Sequence, residues 1–449
     1  MSLVLLAACL GCGGDDRPPA GSERGPCLLD DGCNAGLTCL SRFCVRVDVD
    51  AGSDDARIGD TATDSGSGGA STDPAPHPRL PQISNLGGPV LAQPRVQPIY
   101  YATDSDAPDI QSFLQELTRT STWRETTSEY GVGPLTLAPP IMIAGGAAVT
   151  MTDVALSATL ASNLASAATQ WGAADPNTIY MMVLPQGTTV TFANGGTCCS
   201  DYGGYHTEAR TSSGIVFPYA VICTCPAAFG LNLTPLDART TTVSHELVEA
   251  ATDPFPKTNP AYQLADRANV VWNAVTGGEL ADMCAIYPDA NYVPPGATHM
   301  VQRSWSNAAA AASKNPCVPH APSSTFFGSY PLLDSVDIGG ANATFVTQGA
   351  AVPLGQRRTI DVVLSSDGPP DLRWSVAVYT YEDLLGGDTT NLGVSLDKNA
   401  GKNGDILHLT LAPNHANPNL GAEAFILISR TGSGATLQSS ISMGLVVNQ

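Results

Sequence analysis

Positive charge is scarce in this chain. Its 449 residues carry 21 Lys and Arg against 41 Asp and Glu, a formal charge of -20, which argues against the counterion-releasing grip on phosphate backbones that nucleic-acid binding uses. No nucleic-acid partner is expected. Charge of either sign is thin, 14% of the chain, and Gly, Ala, Ser and Thr take its place, the profile of an exported protein kept soluble by small polar residues. Long apolar runs are missing too. No stretch reaches the roughly 18 residues a membrane helix needs. A G-x-S-x-G elbow between a strand and a helix is also lacking, and the thiols read as paired, so a serine or cysteine nucleophile is set aside.

What is present begins with "MSLVLLAACLGCGG", where Leu3 to Leu6 and small residues lead into Cys9. Residues 1–12 resemble the signal and lipobox of bacterial lipoproteins, with Cys9 lipidated and Cys12 as the alternative. This implies an extracytoplasmic protein tethered by lipid to a membrane, at the outer membrane or cell surface. Cys27, Cys33, Cys39 and Cys44 follow at even spacing with glycines between, so residues 27–44 read as a small module stapled by two disulfides. A zinc knuckle is the rival, but its close C-x-x-C pairs are absent. Residues 45–92, polar, Asp-rich and poor in large apolar side chains, read as a disordered acidic Gly/Ser/Pro linker.

Residues 95–322 read as an α/β unit with a mixed sheet. "RVQPIYYATD" suggests a strand, and Ile110, Phe113, Leu114 and Leu117 then fall at helical spacing. Leu156, Leu160, Leu164 and Ala167 mark a second helix with Asp153 near its cap, and "TIYMMVLP" reads as a buried strand. Cys198, Cys199, Cys223, Cys225, Cys284 and Cys317 allow up to three disulfides, with a pairing that spacing does not set. From residue 323 to 449 short alternating segments separated by Gly, Pro, Asn and Asp read as an all-β sandwich. Its loop "DKNAGKNGD" offers Asp397, Asn399, Asn403 and Asp405 as calcium-type oxygens. Two lysines and the Asn403-Gly404 hairpin signal favour a plain turn.

The segment "LTPLDARTTTVSHELVEAATDP" carries helix punctuation: Thr234 to cap, Pro235 in the first turn, Asp237 where a capping box places its acid, Pro254 to end the run. Leu236, Val243, Leu247 and Ala250 form an apolar stripe, and Thr241, His245, Glu249 and Thr252 lie opposite. A polar face of this kind is ordinarily just solvated. His245 and Glu249, four apart, nevertheless have metal-ligand spacing on one face. A catalytic zinc takes three protein ligands, an open position for water, and a carboxylate to accept the proton of that water. "HELVE" keeps the His and the following Glu of the H-E-x-x-H pattern and replaces the second His by Glu249. The extra ligand charge makes bound water less acidic and brings calcium or manganese in as alternatives to zinc. For the third ligand "GGELADMC" offers Glu279 first and Asp282 second; Asp253, before a proline, and the distant His206 are further candidates, in a supporting role.

"YGVG", "CCSDYGGYH", "SHELVEAATDP", "GELADMC" and "MVQRSWSN", in this order over roughly residues 96–322, resemble the exordium-like, or phosphate-induced, secreted proteins and their bacterial relatives. The resemblance implies a zincin-like domain facing the cell wall or the medium, with metal held by His245, Glu249 and an acid near Glu279, and Glu246 as base. The lipobox, the cysteine quartet and the β-sandwich fall outside it.

The expectation is therefore a lipid-anchored, zinc-dependent hydrolase acting on a protein or peptide substrate or a cell-surface polymer, with Glu246 as general base. Its rival is a non-catalytic surface protein in which the same residues hold a structural metal and the β-sandwich is an adhesion module.

Overall fold

The structure, a computed structural model, describes residues 73–448 except 170, 193–194, 226–232, 322–323, 341–342, 385–390 and 416–421, together with the backbone of 38–40 and 43–45. Cys9, Cys12, Cys27 and Cys33 lie outside the described residues, as does 46–72 of the expected linker. The backbone of Thr38–Leu40 pairs with that of Phe43–Val45 and sets Cys39 opposite Cys44. Among the described residues no helix is long and apolar enough to cross a membrane.

Two compact units emerge, one centred on Arg79–Ser324 and one on Thr325–Ser433 with the C-terminal strand. The first is a mixed sheet covered by helices. Strands β1 (Arg95–Tyr101), β2 (Thr136–Leu137), β3 (Ile141–Ile143), β4 (Thr178–Val183), β5 (Gly204–Arg210) and β6 (Val216–Ile222) order as β5-β6-β4-β1, with β2 and β3 end to end along β1. All pairs are parallel except β5 with β6. Pro139 and Pro140 separate β2 from β3 because proline has no N–H to give the ladder. Every residue of β4 is buried, as expected of a parallel strand covered on both faces.

On one face Leu156, Leu160 and Leu164 meet Ile99, Met182, Phe217, Tyr219 and Val221 in a single core. The helix behind them, α2, runs over Asp153–Asn163, after α1 (Ala107–Leu117), which buries Ile110, Phe113, Leu114 and Leu117. Helix α2 ends before Ala167, and its cap is Thr152, whose Oγ1 accepts from the Ala155 amide. Asp153 is instead buried, accepting hydrogen bonds from the hydroxyls of Tyr205 and Tyr219.

Helix α3 (Pro235–Thr252) packs on β5, β6 and the short strand β7 (Val301–Gln302). Its start follows the local chemistry: Thr234 Oγ1 accepts from the Asp237 amide, and its hydroxyl donates to the Asp237 carboxylate. The face expected to be solvated is not: Thr241, Glu249 and Thr252 are buried and His245 is half-buried, as Val243, Leu247 and Ala250 of the apolar stripe are buried. Towards its N-terminal end Arg239 is buried as well, donating to both oxygens of Asp104 (3.1 and 2.5 Å), to Asp106 (3.1 Å) and to the Leu184 carbonyl (3.1 Å).

The expected linker stops short of residue 92. Leu80, Ile83 and Leu91 are buried, Ser84–Asn85 pairs with Tyr262–Gln263, and the Asn307 amide grips both the N–H and the C=O of Ile83 at 2.8 Å. Few apolar residues are needed where hydrogen bonds of this kind hold the chain.

The second unit is β-rich: a four-stranded sheet and a six-stranded sheet share one core around Phe327, Val362, Leu364, Trp374, Leu409, Phe425, Leu427 and Val446. In its turn at Asp397–Asp405, three of the four candidate side chains have an oxygen engaged by a protein donor. Asp397 accepts from His408 N–H, Asp405 from Lys402 N–H, and Asn403 Oδ1 from the amides of Ala75 and Ser366.

Candidate metal centre

Sheet register decides what faces α3. His206 lies opposite Ala220, and Ala220 opposite Met181, whereas Tyr205, Val221 and Tyr219 belong to the core on the other side. Strand alternation therefore turns the His206 ring toward the helix. Gly204 permits the close approach: a Cβ there would stand 2.6 Å from Thr242 Cγ2 and 3.0 Å from Glu246 Oε1. Two disulfides, Cys198–Cys223 and Cys199–Cys225, staple the chain entering β5 to the chain leaving β6. Cys199 takes a left-handed backbone (φ 67), a conformation that costs a residue other than glycine about 1 to 2 kcal/mol and that the covalent ties enforce. Cys284–Cys317 ties α4 (Asp282–Ala285) to Cys317–Val318. All six cysteines of this unit are thus paired.

The ligand candidates converge. His245 Nε2 is 3.1 Å from Glu249 Oε2 and 3.4 Å from Asp282 Oδ1. His206 Nδ1 is 3.6 Å from Glu249 Oε2 and 3.7 Å from Glu246 Oε2, and its Nε2 is 3.7 Å from Glu279 Oε1. Two groups result, His245–Glu249–Asp282 and His206–Glu249–Glu279, each with its donor atoms within 4.8 Å of one another. The side chains of His206, Glu246 and Glu249 are 3%, 6% and 3% exposed, and those of Glu279 and Asp282 are 21% and 28% exposed, so the cluster has a closed floor and an open side. Asp253, the local alternative, is occupied elsewhere: it accepts from Ala261 N–H (2.8 Å) and Gln263 Nε2 (3.0 Å), bracing the helix end.

Supporting contacts hold the groups in place. Glu249 Oε1 accepts from the amides of Ala281 and Asp282 (3.1 and 3.0 Å), which leaves Oε2 to face the imidazoles. Gly277, at φ 100, makes room for the Asp282 carboxylate where a Cβ would collide with it. Gln302 Nε2 donates to the Ala281 carbonyl (2.8 Å), which points its Oε1 at His245 Nδ1 (3.2 Å). With Nδ1–H donating there, the Nε2 lone pair is free for a cation. The sequence reading missed Gln302 and ranked His206 among supporting residues; the glycines before His206 were the one local signal of its close approach.

The electrostatics carry the mark of missing positive charge. Burial acts to lower His206 and His245, but the surrounding carboxylates, Glu279 foremost for His206 and Glu249 for His245, outweigh it and hold both imidazoles well above their ordinary range. Burial raises Glu279 well above the usual carboxylate range and, with Glu249 beside it, pushes Asp282 up to about 6. Glu249 goes the other way: burial opposes its charge, yet the two imidazoles hold it low. Burial pushes Asp253 up to about 7. Burial and the crowding of carboxylates around two imidazoles account for all of these shifts. His206 Nε2 is buried without a hydrogen-bond partner, and imidazole nitrogens with carboxylate oxygens are a donor set that suits zinc or manganese.

No protein-family model matches the chain, and no curated protein matches it. Among solved structures, domains 4 and 5 of the S-layer protein SbsC match at 15% identity over 38% of this chain and 95% of that one, with a TM-score of 0.15. Domains 1–6 of the surface layer protein SbsC match at 13% identity over 58% of this chain and 37% of that one, also with a TM-score of 0.15. Similarity this low transfers neither fold nor activity.

Proposed function

We propose that the unit around residues 79–324 is a zincin-like, metal-dependent hydrolase, a zinc peptidase by preference, carried by a lipid-anchored extracytoplasmic protein. One observation carries this reading: His245, Glu249 and Asp282 present donors 3.1 and 3.4 Å apart, close to the edges of about 3.3 to 3.6 Å that a tetrahedron with zinc–ligand bonds of about 2.0 to 2.2 Å requires. Bound at such a set, a zinc ion polarises a carbonyl and acidifies water. The residues of the chain do the rest. Gln302 keeps the His245 tautomer, and the Ala281 and Asp282 amides hold Glu249 in place. Glu246 accepts the proton of the attacking water and returns it to the leaving amine, the part of a general base turned acid. A peptide, protein or cell-surface polymer is the proposed substrate. Export is supported by the lipobox-like start and by three disulfides in one unit.

A second reading has its own support. Glu246 is only 6% exposed, which also suits a structural metal site in a non-catalytic surface-binding protein. Purified full-length protein decides between them through its zinc content by mass spectrometry and its cleavage of a broad peptide library, beside Glu246→Gln. Cleavage that falls about a hundredfold or more in the variant, with zinc retained, supports the hydrolase. Cleavage unchanged in the variant refutes the role of Glu246, and zinc content without any cleavage favours the structural site.

A further inference from the structure

We infer that the cluster seats two divalent cations, the second among His206, Glu249 and Glu279, with Glu249 as the carboxylate common to both. This rests on the metal-dependent reading above and extends it to a second ion.

Three independent features lead there. First, the donors divide. His206 and His245 fall in separate three-residue groups that have only Glu249 in common. Glu249 suits the bridging place: Oε1 is taken by two backbone amides, and Oε2 lies 3.1 Å from His245 Nε2 and 3.6 Å from His206 Nδ1. Paired metal ions in hydrolytic sites stand about 3.5 to 4 Å apart, close enough to share one carboxylate.

Second, His206 has an unanswered nitrogen. Its side chain is 3% exposed, its Nε2 faces Glu279 Oε1 at 3.7 Å, beyond hydrogen-bond reach, and that nitrogen has no hydrogen-bond partner. A buried polar atom left unmatched is costly, and an ion is the partner that an imidazole beside carboxylates calls for.

Third, the donors outnumber the ligands of one ion. Glu246, Glu249, Glu279 and Asp282 bring four carboxylates, and among the described residues the ion pairs these acids make are with His206 and His245 only. That many carboxylate oxygens around two imidazole nitrogens exceed the three protein ligands one catalytic zinc takes, and suffice for two ions sharing one carboxylate.

Stoichiometry tests this without any assay of activity. Full-length protein is stripped with chelator, reloaded with zinc, freed of excess and measured for zinc per chain, and a parallel sample is loaded with Mn(II) for electron paramagnetic resonance. The expected result is two equivalents, taken up in two steps, and an exchange-coupled Mn(II) spectrum. His206→Ala and, separately, Glu279→Gln, each checked for a native circular-dichroism melt, fall to one equivalent and lose the coupling. One equivalent in the native protein, unchanged in His206→Ala and Glu279→Gln, overturns the second ion and leaves the single-metal hydrolase standing. Zinc absent from the native protein overturns both.

Discussion

Helix α3 carries two buried clusters of charge, and they are built on opposite principles. Towards its N-terminal end Arg239 meets Asp104 and Asp106 with paired hydrogen bonds to Asp104, a third to Asp106 and a fourth to a carbonyl. Positive charge stands next to negative charge in fork geometry. Towards the C-terminal end four carboxylates gather around two imidazoles, one ring nitrogen has no partner, and burial disfavours the charge of Glu279 and Asp282. The first cluster sets opposite charges against each other within the chain and serves to hold it together. The second crowds like charges around two imidazoles, a set whose donors suit a cation.

The largest expected effect breaks the first cluster. Arg239→Met strands Asp104 in a buried position and should cost about 3 to 5 kcal/mol in a urea titration. Glu279→Gln, which replaces a carboxyl whose charge burial already disfavours, should leave the metal-free protein at least as stable as the native one by the same titration. Equal losses in the two variants would erase the distinction. Next comes Glu246→Gln, expected to lower peptide cleavage by about a hundredfold or more while zinc stays bound, read from initial rates beside metal content. Gln302→Leu lets the His245 ring choose its tautomer and should weaken zinc binding by about 10- to 100-fold, measured by competition with a chromophoric chelator. Smallest is Thr234→Ala, which removes the N-cap and should cost about 1 kcal/mol in stability.

Much of this was legible in the letters, and what was not has a common cause. The helix itself could be read because its signals are local: Thr234, Pro235, Asp237 and Pro254 act within one or two turns. The burial of its polar face could not, because periodicity along one helix says nothing about the strand, loop and amide that come to cover it. His206 stands 39 positions before His245 and reaches it only through the register of β5 on β6. Gln302 left no trace because an amide has no ligand signature of its own; its meaning comes from the Ala281 carbonyl that turns it. Residues 79–92 looked like linker for the same reason, since the Asn307 side chain that ties down Ile83 comes from far along the chain.

The paired bridges from Cys198 and Cys199 reach beyond stability. Each closes a short loop, 25 and 26 residues along the chain, and each is worth on the order of 3 kcal/mol. Together they fix where β5 begins, and so where the His206 ring arrives. Until those four sulfurs are oxidised the strand has no anchored origin. Pairing of these sulfurs thus precedes sharp placement of the His206 ring: with the thiols reduced, only the ladder of β5 on β6 would hold it in register.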